Sequence, residues 1–115
     1  MAKQDWPDWD VYVRDGCRCV YCGFDGTDIR HWRHLQIDHL VPCCAGGSDS
    51  PENKVVACAD CNRKKHGFDP SNGEKGLLLS ADGRAELIAR ARRHIESKQR
   101  IEEADYRQMM EEITG

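Results

Sequence analysis

The spacing of hydrophobic positions along this chain separates a mixed region up to residue 81 from a helical region beyond it. The stretch LQIDHLV, residues 35–41, alternates weakly between apolar and polar side chains and stops at Pro42, which predicts a short strand. CCAGGSDSPEN (43–53) is a loop by composition, and KVVAC (54–58) is a short apolar strand or turn. ADCNRKKH (59–66) reads as the opening of a helix, which FDPSNGEKG (68–76) breaks. From Asp82, the expected N-cap, the pattern is helical: Leu87, Ile88, Ala91 and Ile95 form one narrow stripe, and Tyr106, Met109, Met110 and Ile113 form another. Those stripes suit an antiparallel helix pair, one long bent helix or a dimer contact, and the pattern does not choose among them. Near the N-terminus Trp6, Trp9, Tyr12 and Val13 fall between Pro7 and Gly16. They read as aromatics padding a small core, with base stacking the sharper alternative.

Composition narrows the class. A chain of 115 residues, 39% hydrophobic, is one small domain with room for a helical appendage, and its modest core would gain from an internal cross-link. Its seven cysteines are an odd number, which argues against a closed disulfide framework. No apolar run approaches the roughly 18 residues of a membrane span, and MAKQDWPDWD has no signal-peptide core, so an intracellular, non-secreted protein with reduced, metal-bound thiols is expected. The formal net charge of −3 does not advertise a nucleic-acid binder. The distribution does more: residues 63–66 (RKKH) and 84–100 are basic and 101–115 are acidic, so the field around the molecule is uneven.

Two CxxC pairs, Cys19/Cys22 and Cys58/Cys61, have the spacing with which thiolates wrap two edges of a tetrahedral zinc ion. Gly23 follows the first pair, where a tight turn calls for unusual dihedrals. Such a zinc would be structural, would tie two distant segments together, and would contribute directly to folding. Cys17 is a looser substitute for Cys19, while Cys43 and Cys44, being adjacent, chelate poorly and read as a buried thiol or a surface position. A zinc held by four sulfurs has no open position for chemistry. Asp38 and Asn62 instead carry the hard oxygens that Mg²⁺ or Mn²⁺ take, and Asn62 follows a zinc cysteine directly. His39, beside Asp38, is suited to accept a proton from water near neutral pH. His66 is open between an additional ligand and a member of the basic patch. Arg63, Lys64 and Lys65 are candidate nucleic-acid backbone contacts, Lys65 foremost. His31 and His34, with Arg30 and Arg33, read as scattered surface or core positions rather than a nucleic-acid face.

Taken together, DH at 38–39, Asn53 and CADCNRKK at 58–65 resemble the HNH endonuclease family, in its zinc-stapled ββα-metal branch. The resemblance covers residues 17–67. It implies a small α+β fold, a ββα-metal motif with a four-cysteine structural zinc site plus C-terminal helices. The implied boundaries are an N-terminal segment (1–16), a nuclease core (17–67), a linker (68–81) and a helical extension (82–115). It further implies cleavage of double-stranded DNA with Mg²⁺ or Mn²⁺, leaving a 5′-phosphate and a 3′-hydroxyl. Carried over by position, His39 is the general base, Asp38 a ligand of the catalytic metal, and Asn53 the residue that orients the histidine and steadies the loop. Asn62 is the third motif position, also a metal ligand, which makes this an HNN-type variant, and His66 matches a second helix ligand of some relatives. Residues 68–115 lie outside the resemblance and are open to DNA contact, homodimerisation or a protein partner. Two other functions compete: a non-catalytic zinc module binding nucleic acid or protein, and an RNA-cleaving nuclease.

Overall fold

The structure, a computed structural model, describes residues 7–115, so Trp6 lies outside the described residues. A short helix α1 (Trp9–Arg14) buries Val11 alone of its residues, and a one-turn helix α2 (Ile29–Trp32) is capped by the Asp28 side chain, which accepts from the Arg30 amide. Strand β1 (Leu35–His39) pairs antiparallel with β2 (Lys54–Cys58), in a register that sets Leu35 opposite Cys58 and His39 opposite Lys54. Helix α3 (Ala59–Lys65) leaves β2 without an intervening loop, because Cys58 is its N-cap and the Cys58 sulfur accepts from the Cys61 amide at 3.4 Å. The result is a ββα unit, as the sequence predicts, inside a small α+β fold.

β1 is shorter than the predicted 35–41 stretch for a physical reason. Leu40 and Val41 are fully buried, yet their amides leave the ladder: Leu40 donates to the Asn53 carbonyl and Val41 to the Asn53 side chain. α3 ends at Lys65 because His66 takes a left-handed conformation (φ 40) and Gly67 follows it with φ 61.

Both C-terminal stripes lie on one helix, α4 (Ala81–Thr114), of 34 residues. At about 1.5 Å per residue it is roughly 51 Å long, and it accounts for the longest dimension of the molecule, 52 Å. Its N-cap is Ser80 rather than the expected Asp82: the helix begins earlier, the Ser80 hydroxyl accepts from the Gly83 amide at 3.0 Å, and Asp82 sits in the first turn. Gly83 is required there, since a β-carbon would collide with the Leu77 backbone of the preceding 3-10 turn (Lys75–Leu79). Leu87, Ala91 and Ile95 close one core with Val11, Tyr21, Leu40, Val55, Val56 and Ala57. Beyond that core Tyr106, Met109 and Ile113 are exposed. No helix among the described residues is long and apolar enough to cross a membrane.

Candidate functional site

The sulfur ligands come together as the spacing predicts. Cys19, Cys22, Cys58 and Cys61 present sulfurs that all lie within 4.8 Å of one another, with Cys22 exposed and the other three buried. Tertiary structure closes the set: the Val20 amide donates to the Val56 carbonyl at 2.9 Å, so the first CxxC turn is pinned against β2 just ahead of the second pair. Gly23 takes φ 81 and its amide donates to the Cys19 carbonyl, which completes the turn. The Cys19 thiol is drawn down to about 5, chiefly by its hydrogen bond with Cys61, and the Cys61 thiol is pushed up by the same contact. Burial pushes Cys22 up to about 11. A compact set in which one sulfur already favours the thiolate is compatible with structural Zn²⁺. Cys17 stands outside the cluster, and Cys43 and Cys44 are exposed in a 3-10 turn (Cys43–Ala45).

Asn53 is fully buried and has no polar group turned to solvent. Its Oδ1 accepts from the Val41 amide at 2.8 Å, and its Nδ2 donates to the carbonyls of Val41 (2.9 Å) and Ser48 (2.7 Å). With its backbone carbonyl accepting from Leu40, this residue clamps both ends of the 40–53 loop. Gly47 belongs to the same clamp, because a β-carbon there would strike the Val41 carbonyl.

Asp38 and His39 are consecutive in a strand, so their side chains leave opposite faces. Asp38 is turned into the domain. Its Oδ2 accepts from the Tyr21 hydroxyl at 2.5 Å and lies 3.3 Å from the Lys65 ammonium, whose side chain is only 2% exposed. Burial, then the neighbouring Asp38 carboxylate, holds Tyr21 well above its ordinary pKa, so it stays a donor. Lys65 also donates to the His39 carbonyl at 3.0 Å. His39 is half-buried, and its Nε2 lies 2.9 Å from Asp49 Oδ1 in the loop that Asn53 clamps. Asn62, on α3, donates from Nδ2 to Gln36 Oε1 at 2.7 Å; Gln36 sits two residues before Asp38 and so shares its face of β1. The structure thus places Asp38 and Asn62 on the side of β1 that meets α3, and His39 on the other face.

The basic cluster is distributed differently from the sequence reading, which put all three residues against nucleic acid. Lys64 and Lys65 are buried and paired: Lys64 with Asp60 at 2.5 Å and with Gln99 of α4, Lys65 with Asp38. Arg63 is exposed but shared between Glu102 (2.8 Å) and Asp60 (3.0 Å). For Arg63 and Lys64 the cause is α4, whose Gln99 and Glu102 lie against α3, and for Lys65 it is β1, through Asp38 and the His39 carbonyl. His66 is exposed and, as the left-handed cap, does not continue the α3 face that carries Asn62. His31 and His34 are exposed and meet the Phe24 ring edge-on.

Residues that sequence reasoning missed are Tyr21, Gln36, Asp49 and Lys54. Tyr21 did carry a signal, since it lies inside the first CxxC pair and the geometry of the four-cysteine cluster fixes its direction. Asp49 carried none, because its partner His39 is ten residues away across a loop of unspecified shape.

Fold and site together define a cysteine-clamped ββα domain. The HNH endonuclease family model matches residues 19–68, which assigns that segment to the HNH-endonuclease superfamily. The chain is also similar to the CRISPR-associated endonuclease Cas9 of Actinomyces naeslundii, with 36% identity over 66 residues. That stretch is 56% of this chain and only 6% of the relative, so the chain spans a small part of that protein's length. No solved structure matches.

Proposed function

We propose that the ββα unit hydrolyses DNA phosphodiester bonds with a divalent ion, Mg²⁺ or Mn²⁺, leaving a 5′-phosphate and a 3′-hydroxyl. The observation that carries this reading is the end of β1, where a half-buried histidine with one tethered ring nitrogen follows a carboxylate turned toward the asparagine-bearing face of α3. His39 serves as general base and takes a proton from water. Asp38 and Asn62 hold the ion; their donors are a carboxylate and a carboxamide, hard oxygens of the kind these ions take, so the residues fit the group. When bound, such an ion polarises the phosphoryl oxygens and stabilises charge on the leaving oxygen. Lys65 already supplies a cation at Asp38, so binding there competes with an internal ammonium. Asn53 acts by clamping the loop. His66 we assign to solvent or substrate, outside the metal shell. Of the basic cluster, Arg63 is the member with the exposure to reach a phosphate, 60% for its side chain. Residues 17–67 form the catalytic unit of this proposal, 68–81 the link and 82–115 a helical extension that covers it and presents a surface to a partner or a second copy.

The test is incubation of purified protein with supercoiled plasmids of differing sequence and Mg²⁺ or Mn²⁺, repeated with His39→Ala. Nicked or linear product from the wild type and none from the variant is expected. Matched RNA duplexes separate the polymers, and exclusive RNA cleavage overturns the choice of DNA. A second reading, a non-catalytic zinc module, is favoured by one observation: Asp38 is already neutralised by Lys65 and bonded to Tyr21. Absence of any cleaved product with all these substrates supports it.

A further inference from the structure

The histidine at the end of β1 is not held by the loop clamp alone. Its cross-strand partner in the sheet is Lys54, so the two side chains project from the same face. Lys54 Nζ lies 3.3 Å from Asp49 Oδ1 and donates to Asp8 Oδ1 at 2.9 Å, and its side chain is only 14% exposed. The same Asp49 oxygen lies 2.9 Å from His39 Nε2. Asn53 fixes the loop one residue earlier through the Ser48 carbonyl. A line of alternating charge therefore runs Asp8–Lys54–Asp49 and ends on the His39 ring, anchored at one end on α1's N-cap and at the other on the strand end.

We infer that Asp49 is a positioning residue for His39: its carboxylate accepts a hydrogen bond from Nε2–H, holds the ring in one orientation and tautomer, and leaves the Nδ1 lone pair to take a proton from water. The inference deepens the reading of His39 as general base and rests on it. Three features support the direction of the effect. Asp49 is a carboxylate held below its ordinary pKa, first by the hydrogen bond to His39 and then by Lys54, so it is a constant acceptor near neutral pH. An acceptor at Nε2 excludes the tautomer in which that nitrogen carries the lone pair. Lys54, on the far side, keeps the carboxylate from swinging out into solvent, to which its side chain is 83% exposed. Lys54 is thus the second element of the device, and Asp8 its anchor.

The first measurement uses the zinc-loaded protein without DNA or added divalent ion. Imidazole nitrogen shifts by NMR should assign His39 as the Nε2–H form, with a downfield, exchange-protected Nε2 proton. Asp49→Ala should lose that proton signal, while Asp49→Asn, which keeps an oxygen acceptor, should retain part of it. In single-turnover cleavage, Asp49→Ala should fall about 10- to 100-fold, as is common when an orienting partner of a histidine is removed. DNA affinity should be unchanged, and Asp49→Asn should recover part of the rate. On a His39→Ala background, Asp49→Ala should cost nothing further, because residues acting as one unit are not additive. Retention of the protected proton in Asp49→Ala, or wild-type cleavage by that variant while His39→Ala is inactive, overturns this inference and leaves the base assignment standing. Wild-type cleavage by His39→Ala overturns the base assignment itself.

Discussion

Replacing Asn53 with alanine tests the loop clamp most directly. The substitution removes one acceptor and one doubly used donor from a fully buried position. The Val41 amide and carbonyl, in a residue with no exposure, are then left without partners. Each unsatisfied buried group costs about 1–3 kcal/mol, so the pair amounts to roughly 2–6 kcal/mol. The Ser48 carbonyl belongs to an exposed residue and can turn to water, so it adds little. Against a total stability of about 5–15 kcal/mol for a typical domain, that loss is a large fraction. Urea unfolding with zinc at fixed saturation should show a lower midpoint at unchanged slope. Hydrogen exchange gives the local reading: the Val41 amide should lose protection, whereas the Leu40 amide, bonded to the Asn53 backbone, should keep more of it. Asn53→Asp should be at least as damaging, because it sets an oxygen against the Val41 and Ser48 carbonyls in place of the donor. A loss below about 1 kcal/mol, with Val41 still protected, would falsify the clamp, since even one orphaned buried group costs that much.

The other tests probe separate parts of the molecule. About one zinc per chain should be found by elemental analysis, and Cys58→Ser or a strong chelator should unfold the domain, because metal binding and folding are coupled; freshly purified, folded protein without zinc refutes this. His39→Ala should lower single-turnover cleavage by about 10²- to 10⁴-fold while DNA affinity is retained; a wild-type rate removes His39 as base. Lys65→Met should destabilise the fold by about 3–5 kcal/mol, the usual cost of stripping one partner from a buried ion pair, and added Mn²⁺ should recover part of it; urea midpoints with and without Mn²⁺ decide, and no recovery argues against an ion at Asp38. Stability should fall as pH drops through about 6.5, the ordinary histidine value, because burial holds His94, stacked on Phe68 at 4.1 Å, below that value. The unfolded chain then binds the proton more readily than the folded one, so this contribution is present above that pH and is lost toward the lower folded value. His94→Phe should flatten the slope in midpoint against pH.

What the chain by itself determined is the metal-binding framework and the order of local elements. Two CxxC pairs, a strand ending before Pro42, a loop of Gly and Ser, a strand KVVAC and a helix opening at ADC follow from short-range rules of spacing, turn chemistry and capping. The α4 stripes were also legible, since helical periodicity is local, although their placement on one continuous helix was not. Only the tertiary structure decided the partners of the charged residues. Lys64 and Lys65 read as candidate nucleic-acid backbone contacts because nothing within a few residues neutralises them except Asp60. Their burial depends on Asp38, 27 residues earlier, and Gln99, 35 residues later. Asp49 meets His39 because Asn53 closes the loop from its own far end, and Tyr21 meets Asp38 because the cysteine cluster brings the first CxxC turn against β2. Pattern along a chain encodes which face of an element is buried. It does not encode which distant side chain shares a given hydrogen bond, because that depends on packing the elements into one core.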